Sequence, residues 1–100
     1  MVKRRIIWSS RAKLDLSEIL DFYYQRNGTK TYSKKLNLNV RKSIRLLSKL
    51  PDIGIQTDVK NVRNLIFSDY NIFYRIGVSF IEIMTIWDSR QNPEKLDIKK

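Results

Sequence analysis

Asp88, Arg90, Gln91 and Asn92 follow directly on the apolar run from Phe80 to Trp87. A guanidinium at the end of a rigid strand suits phosphate, because it stays charged at any working pH and presents a planar fork of donors. Arg63 and Arg75 sit in or beside two neighbouring apolar runs. Converging on one sheet face, the three arginines would stabilise the added charge of a phosphorane transition state. Arg90 and Arg63 are therefore the candidate catalytic residues. Arg75 reads more simply as an exposed strand residue, and Arg63 has the plainer option of an ion pair with Asp69 or Glu82.

A general base is harder to place. Asp88 beside Arg90 would be held ionised and so be a weak base. Glu82 is the other carboxylate of that region, and Lys60 would serve only if buried. The chain has no His and no Cys, which removes imidazole acid–base chemistry, disulfides and the common zinc-type ligand sets. No cofactor and no metal are expected.

Charge is the second signal. Twenty Lys and Arg stand against ten Asp and Glu, a net charge of +10. Lys30, Lys34, Lys35, Arg41, Lys42, Arg45 and Lys49 lie between Thr29 and Leu50 with no acidic residue among them. Ordinary solvated helix faces mix both signs. A single-sign face steers toward a polyanion, with binding that weakens steeply as salt rises. Lys34, Lys35, Arg41, Lys42, Arg45 and Lys49, with Lys60 and Gln91, are thus the candidate contacts to a target or nucleic acid. In the preceding segment Asp15, Glu18 and Asp21 offset Arg11, Lys13 and Arg26. Tyr23, Tyr24 and Tyr32 read as packing residues, and Tyr70 and Tyr74 as core edge.

These residues need elements to hold them. One hundred residues make one domain that buries roughly two-thirds of its unfolded surface. Val2 to Trp8 is a short strand. Ser9 or Ser10 caps a helix whose apolar face is Ala12, Leu16, Ile19, Leu20 and Tyr23, and Asn27-Gly28 stops it. Thr29 or Thr31 caps a second helix with a stripe of Tyr32, Leu36, Val40, Ile44 and Leu47, closed at Leu50-Pro51. The short link makes the two helices an antiparallel hairpin. Asp52 to Lys60 reads as loop. Strands follow at Asn61 to Phe67, Tyr70 to Ile76 and Phe80 to Trp87, joined at Ser68-Asp69 and Gly77-Val78-Ser79. In the last strand Ile81 and Ile83 face one way and Ile86 the other, which calls for a bulge near Met84-Thr85 or burial on both faces. The fold class is α+β, in the order βααβββ: an antiparallel sheet with an N-terminal helical hairpin packed on one face, and the other face left for a partner or for binding. Glu94 to Lys100 reads as a loose tail. No apolar run reaches the roughly 20 residues of a membrane span. The three apolar residues after Arg5 are too few for a signal peptide, so a cytoplasmic location is expected.

The ordered set of motifs resembles the RelE/ParE superfamily of type II toxin–antitoxin toxins. It comprises I-x-W-S-x-x-A-x-x-D-L (Ile6, Trp8, Ser9, Ala12, Asp15, Leu16), L-P-D-I-G (Leu50 to Gly54) and R-x-L (Arg63, Leu65). Y-x-I-x-Y-R-I (Tyr70 to Ile76) and D-x-R-Q-x-P (Asp88 to Pro93) complete it. The resemblance implies a growth-inhibiting toxin neutralised by a cognate antitoxin that wraps its surface. Its RelE-like branch cleaves messenger RNA on the ribosome with lysines, arginines and often a C-terminal tyrosine. Arg90 matches the arginine after the last strand, but no Tyr follows Tyr74 and the loop before the sheet offers only Lys60. The ParE-like branch poisons DNA gyrase and lacks that set, and the chain is expected on this side. Arg90 and the segment after Pro93 would then contact the target, and the basic second helix would meet an acidic antitoxin or nucleic acid. The alternative is a metal-independent, ribosome-dependent endoribonuclease, with Arg63 and Arg90 at the scissile phosphate and a 2′-hydroxyl held in line. The second alternative is a nucleic-acid-binding module without toxicity.

Overall fold

The computed structural model describes residues 3–89. Its elements are β1 (Arg5–Trp8), α1 (Ser10–Asn27), α2 (Thr31–Leu46), β2 (Ile55–Gln56), β3 (Val62–Phe67), β4 (Tyr70–Ile76) and β5 (Phe80–Asp88). They form one five-stranded sheet in the order β1-β5-β4-β3-β2. β3, β4 and β5 are the expected antiparallel meander. β1 returns to the far edge and pairs with β5 in parallel, so the sheet is mixed. β2 is an addition at the other edge: the stretch read as loop contributes two residues that pair with Arg63 and Asn64 of β3.

Helix ends follow local chemistry at α1 and depart from it at α2. Ser9 caps α1, its Oγ accepting from the Ala12 N–H at 3.0 Å. The same hydroxyl donates to the Met84 carbonyl at 2.8 Å and ties the β1–α1 corner to β5. Gly28 ends the helix at φ +70°, its N–H bonded to the Tyr24 carbonyl. Neither Thr29 nor Thr31 caps α2; Lys30 holds that position without a side-chain bond. α2 stops at Leu46, short of the expected Leu50-Pro51. The N–H groups of Leu47, Ser48 and Lys49 then reach carbonyls three residues back, tightening the chain into a turn before the proline.

The core lies between the hairpin and one sheet face. Ala12 and Leu16 of α1, with Leu36, Val40, Ile44 and Leu47 from α2 and its following turn, meet Tyr70, Ile72, Tyr74, Ile81, Ile83 and Ile86. Each fully buried aliphatic side chain contributes about 1.5–3 kcal/mol. Tyr32 leaves the expected stripe and is 46% exposed. Ser33 takes the inward position one residue on, its hydroxyl donating to the Leu20 carbonyl at 2.8 Å. The bulge is present. Phe73 pairs with Thr85 and Tyr74 with Ile83, leaving Met84 as the extra residue. That shift brings both Ile83 and Ile86 into the core. On the face turned from the helices, Val62, Phe73 and Trp87 are buried, whereas Ile66 is exposed.

Candidate functional site

Register decides which cations meet. Arg63 pairs across from Tyr74, on the helix side of the sheet, while Arg75 is the next residue along β4 and faces the other way. The two arginines therefore do not converge on one face. Arg75 instead stands 3.7 Å from Glu82. Arg90 and Gln91 lie outside the described residues, as does the tail from Glu94. Lys60 is exposed in the turn before β3.

Arg63 closes a loop. Its Nη1 donates to the Gly54 carbonyl at 2.7 Å and the Asp52 carbonyl at 3.2 Å. Its Nε is 3.7 Å from the Asp52 carboxylate, which takes the place of the expected Asp69 or Glu82. Tyr74 completes the clamp, donating to the Pro51 carbonyl at 2.7 Å and accepting from the Gly54 N–H at 3.0 Å. A Cβ on Gly54 would sit 2.6 Å from the Tyr74 hydroxyl and 3.0 Å from the Asn64 carbonyl, so the L-P-D-I-G segment needs glycine there. Burial raises the Tyr74 pKa above 10.0, against the opposing pull of the Gly54 hydrogen bond and the Arg63 charge. The phenol is therefore protonated at neutral pH and acts as a hydrogen-bonding strut.

Asp15, read from sequence only as a balancing charge, is a junction. Its Oδ2 accepts from the Thr85 hydroxyl at 2.6 Å and from the Ile86 N–H at 3.0 Å. Its Oδ1 accepts from Arg11 Nε at 3.2 Å. The β1–β5 pairing ends at Trp8 opposite Ile83, so the β5 edge beyond it has no strand partner, and the carboxylate satisfies one of its amides. The motif S-x-x-A-x-x-D held the signal: cap and carboxylate lie six residues apart and grip β5 at the bulged Met84 and at Thr85 and Ile86 just beyond it. Beside this junction, Glu18 and Phe22 of α1 and Ile86, Trp87 and Asp88 of β5 border a cavity of about 460 Å³.

Lys34, Lys35, Arg41, Lys42, Arg45 and Lys49 are all exposed, and none makes an ion pair among the described residues. They do not form one file. The 3.6-residue period sets Lys34, Arg41 and Arg45 along one row of α2 and Lys35 and Lys42 along another, while Lys49 lies in the turn beyond the helix. Leu38 and Leu46 are also exposed on α2, at 66% and 51%. Arg41 alone among the six is held in place. Its Nε donates to Asn37 Oδ1 at 2.9 Å, and its guanidinium lies 5.1 Å over the Trp8 ring.

Fold, loop clamp and basic second helix together define a small basic α+β domain. Residues 6–93 match the family described as ParE toxin of type II toxin-antitoxin system, parDE. The chain belongs to this ParE toxin family, within the RelE/ParE superfamily. Among solved structures, a chain of the chromosomal ParDE system from P. aeruginosa is 21% identical, with a TM-score of 0.75 over 86% of this chain and 96% of that one. That likeness shows the shared fold. A chain of the E. coli DinJ-YafQ toxin-antitoxin complex is more distant, at 14% identity and a TM-score of 0.49, covering 87% and 93% of the two chains. No curated protein matches the sequence. Among the described residues, no helix is long and apolar enough to cross a membrane, and no group of His, Cys, Asp and Glu is placed to hold a metal ion.

Proposed function

We propose that this toxin arrests growth by binding DNA gyrase and impeding it, with no catalysis of its own, and that a cognate antitoxin neutralises it. The observation that carries the choice of binding over cleavage is the state of Arg63. Two loop carbonyls hold its Nη1, and its neighbour Tyr74 is a buried, protonated phenol. The guanidinium and the hydroxyl are thus engaged in holding the Pro51–Gly54 loop, which leaves them poorly placed to serve a scissile phosphate. Family membership over residues 6–93 supports the toxin reading. Arg90, Gln91 and the segment after Pro93 are the proposed contacts to gyrase. Lys35 and Lys42 on α2 with Lys49 in the turn beyond it, beside exposed Leu38 and Leu46, suit an acidic, partly apolar antitoxin segment. The P. aeruginosa ParDE structure is of a toxin–antitoxin system, which supports an antitoxin partner.

Induced expression in a bacterium, with a DNA-damage reporter and message sequencing, tests the reading. Growth arrest with a DNA-damage response and intact messages is expected. Cleavage inside translated messages would replace the proposal with the ribosome-dependent ribonuclease. Normal growth would replace it with a non-toxic binding module.

A further inference from the structure

We propose that the furrow between α1 and α2, bounded at each end by a cation lying over an aromatic ring, is a track for single-stranded nucleic acid. This goes beyond the gyrase reading and does not depend on it.

The furrow consists of two depressions of about 380 and 420 Å³ that share Leu20 and Asn37 in their linings. They are therefore neighbours along the hairpin, meeting at Leu20 and Asn37. At one end Arg41 lies 5.1 Å over Trp8, with Lys13 and Ser17 across the gap. At the other end Lys30 lies 5.3 Å over Tyr24, with Lys34 beside it. Lys13, Lys30, Lys34 and Arg41 make no ion pair among the described residues. No acid lines the Trp8 end, and Asp21 is the one acid at the Tyr24 end.

The chemistry points to phosphates in a row. Asn37 fixes Arg41 through Nε, which leaves the two terminal nitrogens of the fork for an anionic oxygen. Lys34 and Arg41 are seven residues apart on α2, about 10 Å along the axis. That distance matches about three nucleotides at the roughly 3.4 Å rise of a stacked strand. A cationic groove with aromatic rings along it, here the exposed Tyr24 and the half-buried Trp8, is the general pattern of proteins that hold single strands without reading sequence.

The test is fluorescence anisotropy on the full chain with a labelled 12-nucleotide oligo-dT, across a salt series. Binding that weakens with salt is expected, with Arg41→Gln lowering the slope of log K against log salt by about 0.7, one phosphate contact on a single strand. Arg75→Gln, the same charge change on the far sheet face, is expected to leave the slope unchanged. If Arg41→Gln fails to fold by circular dichroism, the exposed Lys34→Gln carries the same comparison. No binding at low salt, or equal slopes for Arg41→Gln and wild type, would overturn the proposal. A duplex of the same length or an oligo-glutamate of the same charge competing better than unlabelled oligo-dT would also overturn it, the latter by assigning the furrow to an acidic peptide.

Discussion

At the scale of single residues, the account turns on Arg63, Tyr74 and Gly54. Tyr74→Phe removes one hydroxyl and leaves the Gly54 N–H and Pro51 carbonyl without it, so a loss of about 1–3 kcal/mol is expected in urea unfolding. The same variant has a pH signature. Burial lifts the folded Tyr74 above its ordinary 10.0, so the folded protein keeps a proton that the unfolded chain releases. That contribution to stability is complete below about pH 10 and is lost as pH climbs through the folded value. Thermal midpoints measured from pH 8 upward are expected to fall less steeply above pH 10 in Tyr74→Phe than in wild type. Arg90→Ala is expected to abolish growth arrest without unfolding the protein, as checked by circular dichroism. Killing at wild-type potency would remove Arg90 from the site. The sequence marked Arg63 as a notable cation, yet not its task. Its hydrogen-bond partners are mainly backbone carbonyls of Asp52 and Gly54, and a carbonyl carries no residue-type signature.

At the scale of elements, Asp15 joins α1 to the bulged end of β5. Asp15→Ala leaves the Thr85 hydroxyl and the Ile86 amide without their acceptor, and is expected to cost about 1.5–3 kcal/mol, the range for bonds to a charged group. Arg11→Ala touches only the exposed i,i+4 pair and is expected to cost about 0–1 kcal/mol. Equal losses in chemical denaturation would show that the pair, not the β5 contact, is what matters. Elements with a long periodic signal were legible: α1, β4 and β5 fall within a residue or so of their expected bounds. The break in strand parity between Ile83 and Ile86 even announced the bulge. β2 was not legible, because two residues are too few for any period. Tyr32 and Ser33 show the limit from the other side. Helical spacing placed Tyr32 in the stripe, but the close crossing of α2 over α1 favours the small Ser33, whose hydroxyl finds the Leu20 carbonyl.

At the scale of the whole molecule, the sheet order and the charge distribution are what no local pattern supplies. The parallel return of β1 beside β5 joins residues about 75 positions apart, and only global packing decides it. That return also sets Trp8 beneath Arg41, which turns one cation of a diffuse basic helix into a fixed group. The excess of +10 was legible as a preference for anionic partners, whereas its division between the interhelix furrow and the outward rows of α2 required the structure. The central claim concerns a target protein, and it is tested with purified components. Gyrase supercoiling of relaxed plasmid is followed as this toxin is added, with a purified ribosome and message in a parallel reaction. The account predicts loss of supercoiling at stoichiometric toxin, with the message left whole. Full supercoiling at a large excess of toxin, or a cut message, would contradict it.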